Sequence, residues 1–351
     1  MKLNKKSIFN ALFLVTLIVL TFWLIFKDQD IKKILNLLSD ISPIFLVICF
    51  VLVILYVCSE SVIIQHLLNA VSIKIPLLSC IRYSFVGFFY SCITPSASGG
   101  QPMQIYYMRK QGIDIPTSTI VLMLVTIEYK FVLVFVGLMV VLFGQGLLST
   151  LDWEVCTFLY LGIGLNFVCV AGMCFLVFFP GSAKKIIMKG YSFLKKIRIL
   201  KEKNNRTWRL NRSMNTYKRA SQFLKEHKLA IFNTTIISFL QRFFLFFITY
   251  VVYRSFGKNS IDAVTITILQ AIISISVDML PLPGGMGISE RLYLLIFTPI
   301  FGGATTVAAS MLVSRGFSYY VLVIVSGIIS ILTHITVGRN KLSDKKLEEK
   351  S

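Results

Sequence analysis

Runs of about 20 apolar residues, each long enough to cross the hydrocarbon of a bilayer, recur along this chain and dictate what it can fold into. They cover residues 8–26, 43–64, 117–143, 156–179, 229–253 and 304–337. In hydrocarbon every backbone N–H and C=O must find a partner within the protein, and runs of this length meet that demand as α-helices. Composition agrees: 56% of the 351 residues are hydrophobic and 15% charged, against about 45–50% and about 25% in soluble domains. The sequence predicts an all-α integral membrane protein, a single polytopic domain over residues 1–351.

The formal net charge of +20 would suggest nucleic acid in a soluble protein. Here the basic residues collect in a few segments between apolar runs, so nucleic acid is not an expected partner. Residues 180–228 are rich in Lys and Arg, opposed only by Glu202 and Glu226. The loop carrying Asp152 and Glu154 has no basic residue, and residues 27–40 are charge-balanced. The positive-inside rule then places 180–228 and both termini in the cytoplasm. Residues 184–219 also interleave basic side chains with Ile186, Tyr191, Phe193 and Trp208, a mixture that suits a helix lying on an anionic leaflet as well as a topology signal. The N-terminal apolar run resembles a signal peptide, but Lys27-Asp28-Gln29-Asp30 follows it instead of a small-residue cleavage site; a retained first helix is expected. The seven cysteines lie in or beside apolar segments without CxxC spacing, as small hydrophobes rather than ligands.

Two stretches break the helical pattern. Residues 79–111 carry Pro95, Gly99, Gly100, Gln101 and Pro102 at their middle, and residues 262–297 carry Pro281, Pro283, Gly284, Gly285 and Gly287. Each follows an apolar run and precedes a short amphipathic one. Proline removes a backbone donor and paired glycines permit turns. Backbone stripped of its helical bonds cannot face lipid, so these segments must line a cavity or be covered by protein. If both dip in and return, every loop falls on the side its charge requires. About six crossing helices plus two re-entrant broken segments result, in an inverted repeat with one copy at about 8–143 and the other at about 156–337. The half-helices after the turns would aim N–H groups at the interior, a seat for an anion such as a lipid phosphate.

Ionisable residues inside spans cost about 2.5–3.5 kcal/mol each on insertion scales, which makes each a functional candidate. Glu128 and Lys130 sit deep in the third run. Arg242 lies in the fifth, Asp278 just before the second turn, Glu290 just after it, and Arg315 within the last run. As a group, acid and base suggest a polar cavity for a charged or zwitterionic head group; the structural alternative is a bridge from Glu128 to Arg242 or Arg315. The last run is too long for one simple span, and Arg315-Gly316 is where it would divide. His66, His227 and His334 have no metal or triad spacing, Ser96 and Ser98 lack a base, and no GxxxxGK[ST] loop is present. No cofactor is expected.

Thr94-Pro95-Ser96-Ala97-Ser98-Gly99-Gly100-Gln101-Pro102 with Tyr106-Tyr107-Met108-Arg109, and later Pro281-Leu282-Pro283-Gly284-Gly285-Met286-Gly287-Ile288-Ser289-Glu290, resemble the two signature segments of the lysylphosphatidylglycerol synthase/flippase membrane-domain family. The resemblance implies a bacterial inner-membrane protein that moves aminoacylated phosphatidylglycerol, or a related phospholipid or glycolipid, across the bilayer. It would thereby alter surface charge and resistance to cationic peptides. Long members add a cytosolic domain that transfers lysine from charged tRNA to the lipid; after Val337 this sequence offers only a short polar tail, and no site for that reaction is expected. The implied partners are membrane lipids and, in an alternative reading, a separate aminoacyltransferase chain for which this protein is the membrane component. A lipid-binding scaffold is the third reading, and oligomerisation stays open.

Overall fold

The computed structural model describes residues 31–94, 97–182, 184–186, 188, 189 and 206–348. The expected first helix at 8–26, Pro95, Ser96 and most of the basic segment between 190 and 205 lie outside the described residues. Five described helices are long and apolar enough to cross a membrane, which makes this an all-α multi-pass membrane protein.

In order, the elements are α1 (Ile31–Ser39), α2 (Pro43–Ala70), α3 (Leu77–Cys92), α4 (Gly100–Lys110), α5 (Ile115–Phe143), α6 (Trp153–Phe178), α7 (Arg206–Glu226), α8 (Lys228–Ser255), α9 (Ala263–Val277), α10 (Ile288–Phe301), α11 (Ala304–Arg315) and α12 (Leu322–Glu348). Several begin where the sequence marks them. Pro43 and Pro116 occupy first turns, where a missing N–H costs nothing. Asp114 and Asp262 accept the amides of Thr117 and Thr265 as N-caps, and those bonds hold the Asp262 carboxyl below its usual range.

At about 1.5 Å per residue, α3 and α4 are each too short for a bilayer core of about 30 Å. They form a hairpin instead. Tyr83 Oη donates to Gln111 Oε1 at 2.5 Å, and nearer the turn a Cβ at Gly87 would fall 2.4 Å from the Gln104 side chain. This nested pairing sends α4 back alongside α3. The second broken stretch repeats the order, with α9 and α10, of 15 and 14 residues, packed against each other on either side of the turn at 278–287. The helices flanking the two hairpins also correspond: α2 and α5 around the first, α8 and the α11–α12 rod around the second. The rod does not divide at Arg315-Gly316. It continues through a π-helical turn at Gly316–Val321, so the break expected there is a local widening of one long helix.

Burial sets α5 at the centre: 67% of its best membrane window is buried, against 22% for α6, whose Tyr160, Phe167 and Val168 face outward. α2 and α8, equivalent in the two blocks, pack along each other with Tyr56, Val57, Val251 and Val252 in the shared core. The chain before α2 is not all loop, since it forms α1, which buries Ile34 against Ala308 and Ala309. α7 turns Met214, Tyr217 and Ala220 inward. Tyr217, Ser221 and Lys225 donate to the carbonyls of Leu176, Val177 and Phe178, the last turn of α6, which has no intrahelical partners of its own. A cation at that helix end also suits the dipole. The described part of the basic segment therefore docks its apolar stripe on protein, with Lys218 and Arg219 turned outward.

Candidate functional site

Three groups of polar side chains, buried or half-buried for the most part, lie at and around the turns of the two hairpins. In the first, Lys130 Nζ donates to Asp278 Oδ2 at 2.5 Å and to Asn166 Oδ1 at 3.1 Å. Lys130 comes from the end of the first block, Asp278 from the turn of the second, and Asn166 from α6. Both Lys130 and Arg242 lie over the Tyr129 ring, at 5.0 and 4.5 Å from its centroid, and Arg242 also approaches the Tyr56 ring at 5.4 Å. Such stacking on aromatic faces offsets part of the cost of desolvating a cation. Among the described residues, Arg242 Nε has no hydrogen-bond partner.

The second group organises the turn after α9. Glu290 Oε2 accepts the Gly287 amide at 2.6 Å and the Ser289 hydroxyl at 2.9 Å, while Oε1 accepts Arg315 Nε at 2.8 Å. Arg315 also donates to the Gly284 carbonyl at 2.9 Å. Gly284 has φ +59°, and a Cβ there would fall 2.2 Å from the Tyr319 ring, so both its backbone and its neighbour exclude a side chain. Gly285 and Gly287 also have positive φ. This arrangement revises one expectation: the anion seat at the start of α10 is filled by the helix's own Glu290, the acid three residues in that caps a helix start.

The first turn is built with less charge. Thr94 Oγ1 accepts the Gly99 amide at 2.9 Å and donates to the Tyr90 carbonyl at 2.6 Å. Gln101 reaches Thr126 on α5, and Gln104 donates to Glu60 at 2.9 Å. Gly100 is buried against α3 and Pro102 is exposed. Tyr319, in the π turn, joins the two turns: its ring covers Gly284 while its hydroxyl donates to the Cys92 carbonyl at 2.8 Å, at the end of α3.

Glu128 stands apart from Lys130, as two residues of helical rotation require. Its Oε1 lies 2.5 Å from Thr234 Oγ1 on α8, and among the described residues Oε2 has no hydrogen-bond partner. The bridge from Glu128 to Arg242 or Arg315 is not formed, because Arg242 is stacked on tyrosines and Arg315 is bound to Glu290. Of the six charged candidates, Lys130, Asp278 and Arg242 therefore gather together, Glu290 and Arg315 form a second pair, and Glu128 faces α8. Asn166, Tyr129, Thr234 and Tyr319 complete these groups; Asn166 was findable as an amide within an apolar run, the others look like ordinary helix residues.

Beyond these, a cavity of about 1200 Å³ opens between the starts of α6 and α9 and the length of α10. Apolar side chains dominate it, with Thr150, Asp152, Thr265, Arg291 and Thr298 as polar members. Arg291, next to inward-facing Glu290, points the other way and pairs with Glu154 at 2.7 Å.

Broken hairpins, a buried ion pair shared between the blocks and apolar outer faces define a polytopic membrane protein with a polar interior. The chain belongs to the family of the lysylphosphatidylglycerol synthase TM region, whose model matches residues 10–326. The chain matches no curated protein.

Proposed function

We propose that the protein is a lipid translocase that moves aminoacylated phosphatidylglycerol, or a related phospholipid or glycolipid, across a bacterial cytoplasmic membrane. One observation carries the reading: the buried pair of Lys130 and Asp278 joins the central helix to a turn whose backbone has left the helical pattern. Backbone of this kind at membrane depth belongs beside protein or a water-filled cavity, and paired buried charges mark substrate paths. Lys130, Arg242, Asp278, Glu290 and Arg315 would meet the head group, Glu128 would gate it, and Gly99, Gly100, Gly284 and Gly285 would shape the turns. The matching order of the blocks supports an inverted repeat, with the first hairpin open to the cytoplasm, the second to the outside, and both termini cytoplasmic. Outward transport of a lysylated lipid would reduce surface negativity and weaken the attraction of cationic peptides.

The test is movement of labelled lysyl-phosphatidylglycerol and phosphatidylglycerol by purified protein in liposomes, with Lys130→Met and Gly284→Leu as variants. Head-group-selective movement, lost in both variants, is the expected result. A folded wild-type sample that moves neither lipid overturns the reading. The family's description as part of a synthase favours a second reading, in which this chain is the membrane component of a lysyl-tRNA-dependent lysyltransferase whose catalytic domain is another chain. Lysylation of phosphatidylglycerol appearing only when such a chain is added would establish it.

A further inference from the structure

Glu128 presents a problem of hydrogen accounting. Thr234 Oγ1 lies 2.5 Å from Glu128 Oε1, 2.9 Å from the Ala230 carbonyl and 3.0 Å from the Ile231 carbonyl. A hydroxyl has one hydrogen to give, and carbonyls only accept. If Thr234 serves its own helix, as hydroxyls within helices do, the carboxyl must be the donor in the short contact. If Thr234 serves Glu128 instead, Oε2 is still a buried oxygen without a donor among the described residues. Ser238, one turn further along α8, lies close to the same carboxyl, but its hydroxyl falls short of hydrogen-bond geometry with any group among the described residues. Glu128 is 3% exposed; Thr234 and Ser238 are fully buried.

No cation neutralises this carboxyl among the described residues. Of the charged groups on helices packed against α5, Arg242 on α8 lies over tyrosine rings, and Glu60 on α2 accepts from Gln104. Lys225 on α7 donates to the Phe178 carbonyl. On α5 itself, Lys130 faces the other way and is held by Asp278, with Tyr129 beside it. Tyr217 on α7 donates to the Leu176 carbonyl. An unpaired carboxylate in a low-dielectric interior is far costlier than the neutral acid. One proton removes the charge, supplies the missing donor and leaves Ser238 a neighbour to bond.

We infer that Glu128, with Thr234 and Ser238, is a proton-carrying site that couples lipid movement to the transmembrane proton gradient. The coupling rests on the translocase reading; the proton does not. In the described conformation Glu128 is the acid, shut between α5 and α8. A conformation that admits water to this face releases the proton and leaves the carboxylate hydrated, so loading and release occur in different states of the cycle. The step is simple ionisation: the O–H bond breaks and its proton passes to water.

The proton is read first by infrared titration of the purified protein in nanodiscs. A protonated-carboxyl C=O band is expected near neutral pH, absent in Glu128→Gln and shifted but retained in Ser238→Ala. Coupling is read in proteoliposomes carrying a tenfold difference in proton activity. With one proton per lipid, the steady-state leaflet ratio shifts by up to about tenfold in wild type, and Glu128→Gln, locked as a neutral amide, loses the response. The proposal is overturned if the band is absent in wild type or survives in Glu128→Gln, if the variant still responds to the proton gradient, or if a sodium gradient drives the shift instead. A protein that shows the band but moves no lipid defeats the translocase reading and the coupling with it, while the proton on Glu128 stands.

Discussion

Lys130 and Asp278 meet at 2.5 Å across 148 residues of sequence, tying the most buried of the five long apolar helices to the turn of the second hairpin. Both are largely buried, so their mutual attraction offsets the cost of taking each charge out of water. Removing one leaves the other charged and desolvated, a loss of about 3–5 kcal/mol. Lys130→Met and Asp278→Leu are each expected to show that loss, and the double variant far less than their sum. Unfolding in lipid nanodiscs measures it; strictly additive losses would mean the two side chains do not interact.

Arg291 and Arg315 offer a contrast. Both pair with glutamates, but Arg291 is 66% exposed and Arg315 17%. Arg291→Gln is expected to change stability by less than about 1 kcal/mol. Arg315→Gln strips a buried acid of its partner and falls in the range of about 3–5 kcal/mol. Equal effects in the same unfolding assay would contradict the assigned burial.

Gly284→Ala should cost about 1–2 kcal/mol for the left-handed backbone alone, with more from the collision with the Tyr319 ring. Tyr319→Leu in the same chain is expected to return the steric part and none of the backbone part. If the second substitution returns nothing, the ring does not press on this turn.

At Gly162 on α6, a Cβ would lie 2.3 Å from the Ile275 carbonyl, whereas Gly164 has open space. Small residues let membrane helices approach this closely. Gly162→Leu is expected to push α9 away and lower the unfolding temperature sharply; Gly164→Leu should leave it unchanged. Similar behaviour of the two would remove the close α6–α9 contact as a source of stability.

The proposed topology predicts that Ser149→Cys reacts with a membrane-impermeant maleimide applied to intact cells and that Ser213→Cys reacts only after permeabilisation. Both positions are exposed. The reverse pattern would invert the protein in the membrane.

The helices were legible because lipid demands long apolar runs, and hydropathy alone marks them. The broken segments were legible because Pro and Gly write their turns into the sequence. Pairing was not. Glu128 lies on the same helix as Lys130, yet which cation or hydroxyl each meets depends on how α6, α8 and the second turn pack around α5. Glu290 and Arg291 are neighbours in sequence, yet about 100° of helical rotation turns one inward to Arg315 and the other outward to Glu154, which charge counting cannot resolve. Tyr319 carried no signal at all, since a tyrosine in an apolar helix reads as core until its two contacts are seen.

The π turn at 316–321 has a geometric consequence for the whole rod. A wider turn accommodates an extra residue, and one residue of an α-helix is about 100° of rotation. The helix beyond the turn is therefore phased differently from the helix before it, like two gears keyed at different angles on one shaft. α11 can present Arg315 to the second hairpin while α12 runs along α3 of the first. Deleting one residue from the turn would restore a single phase, and the rod could no longer mesh with both hairpins at once.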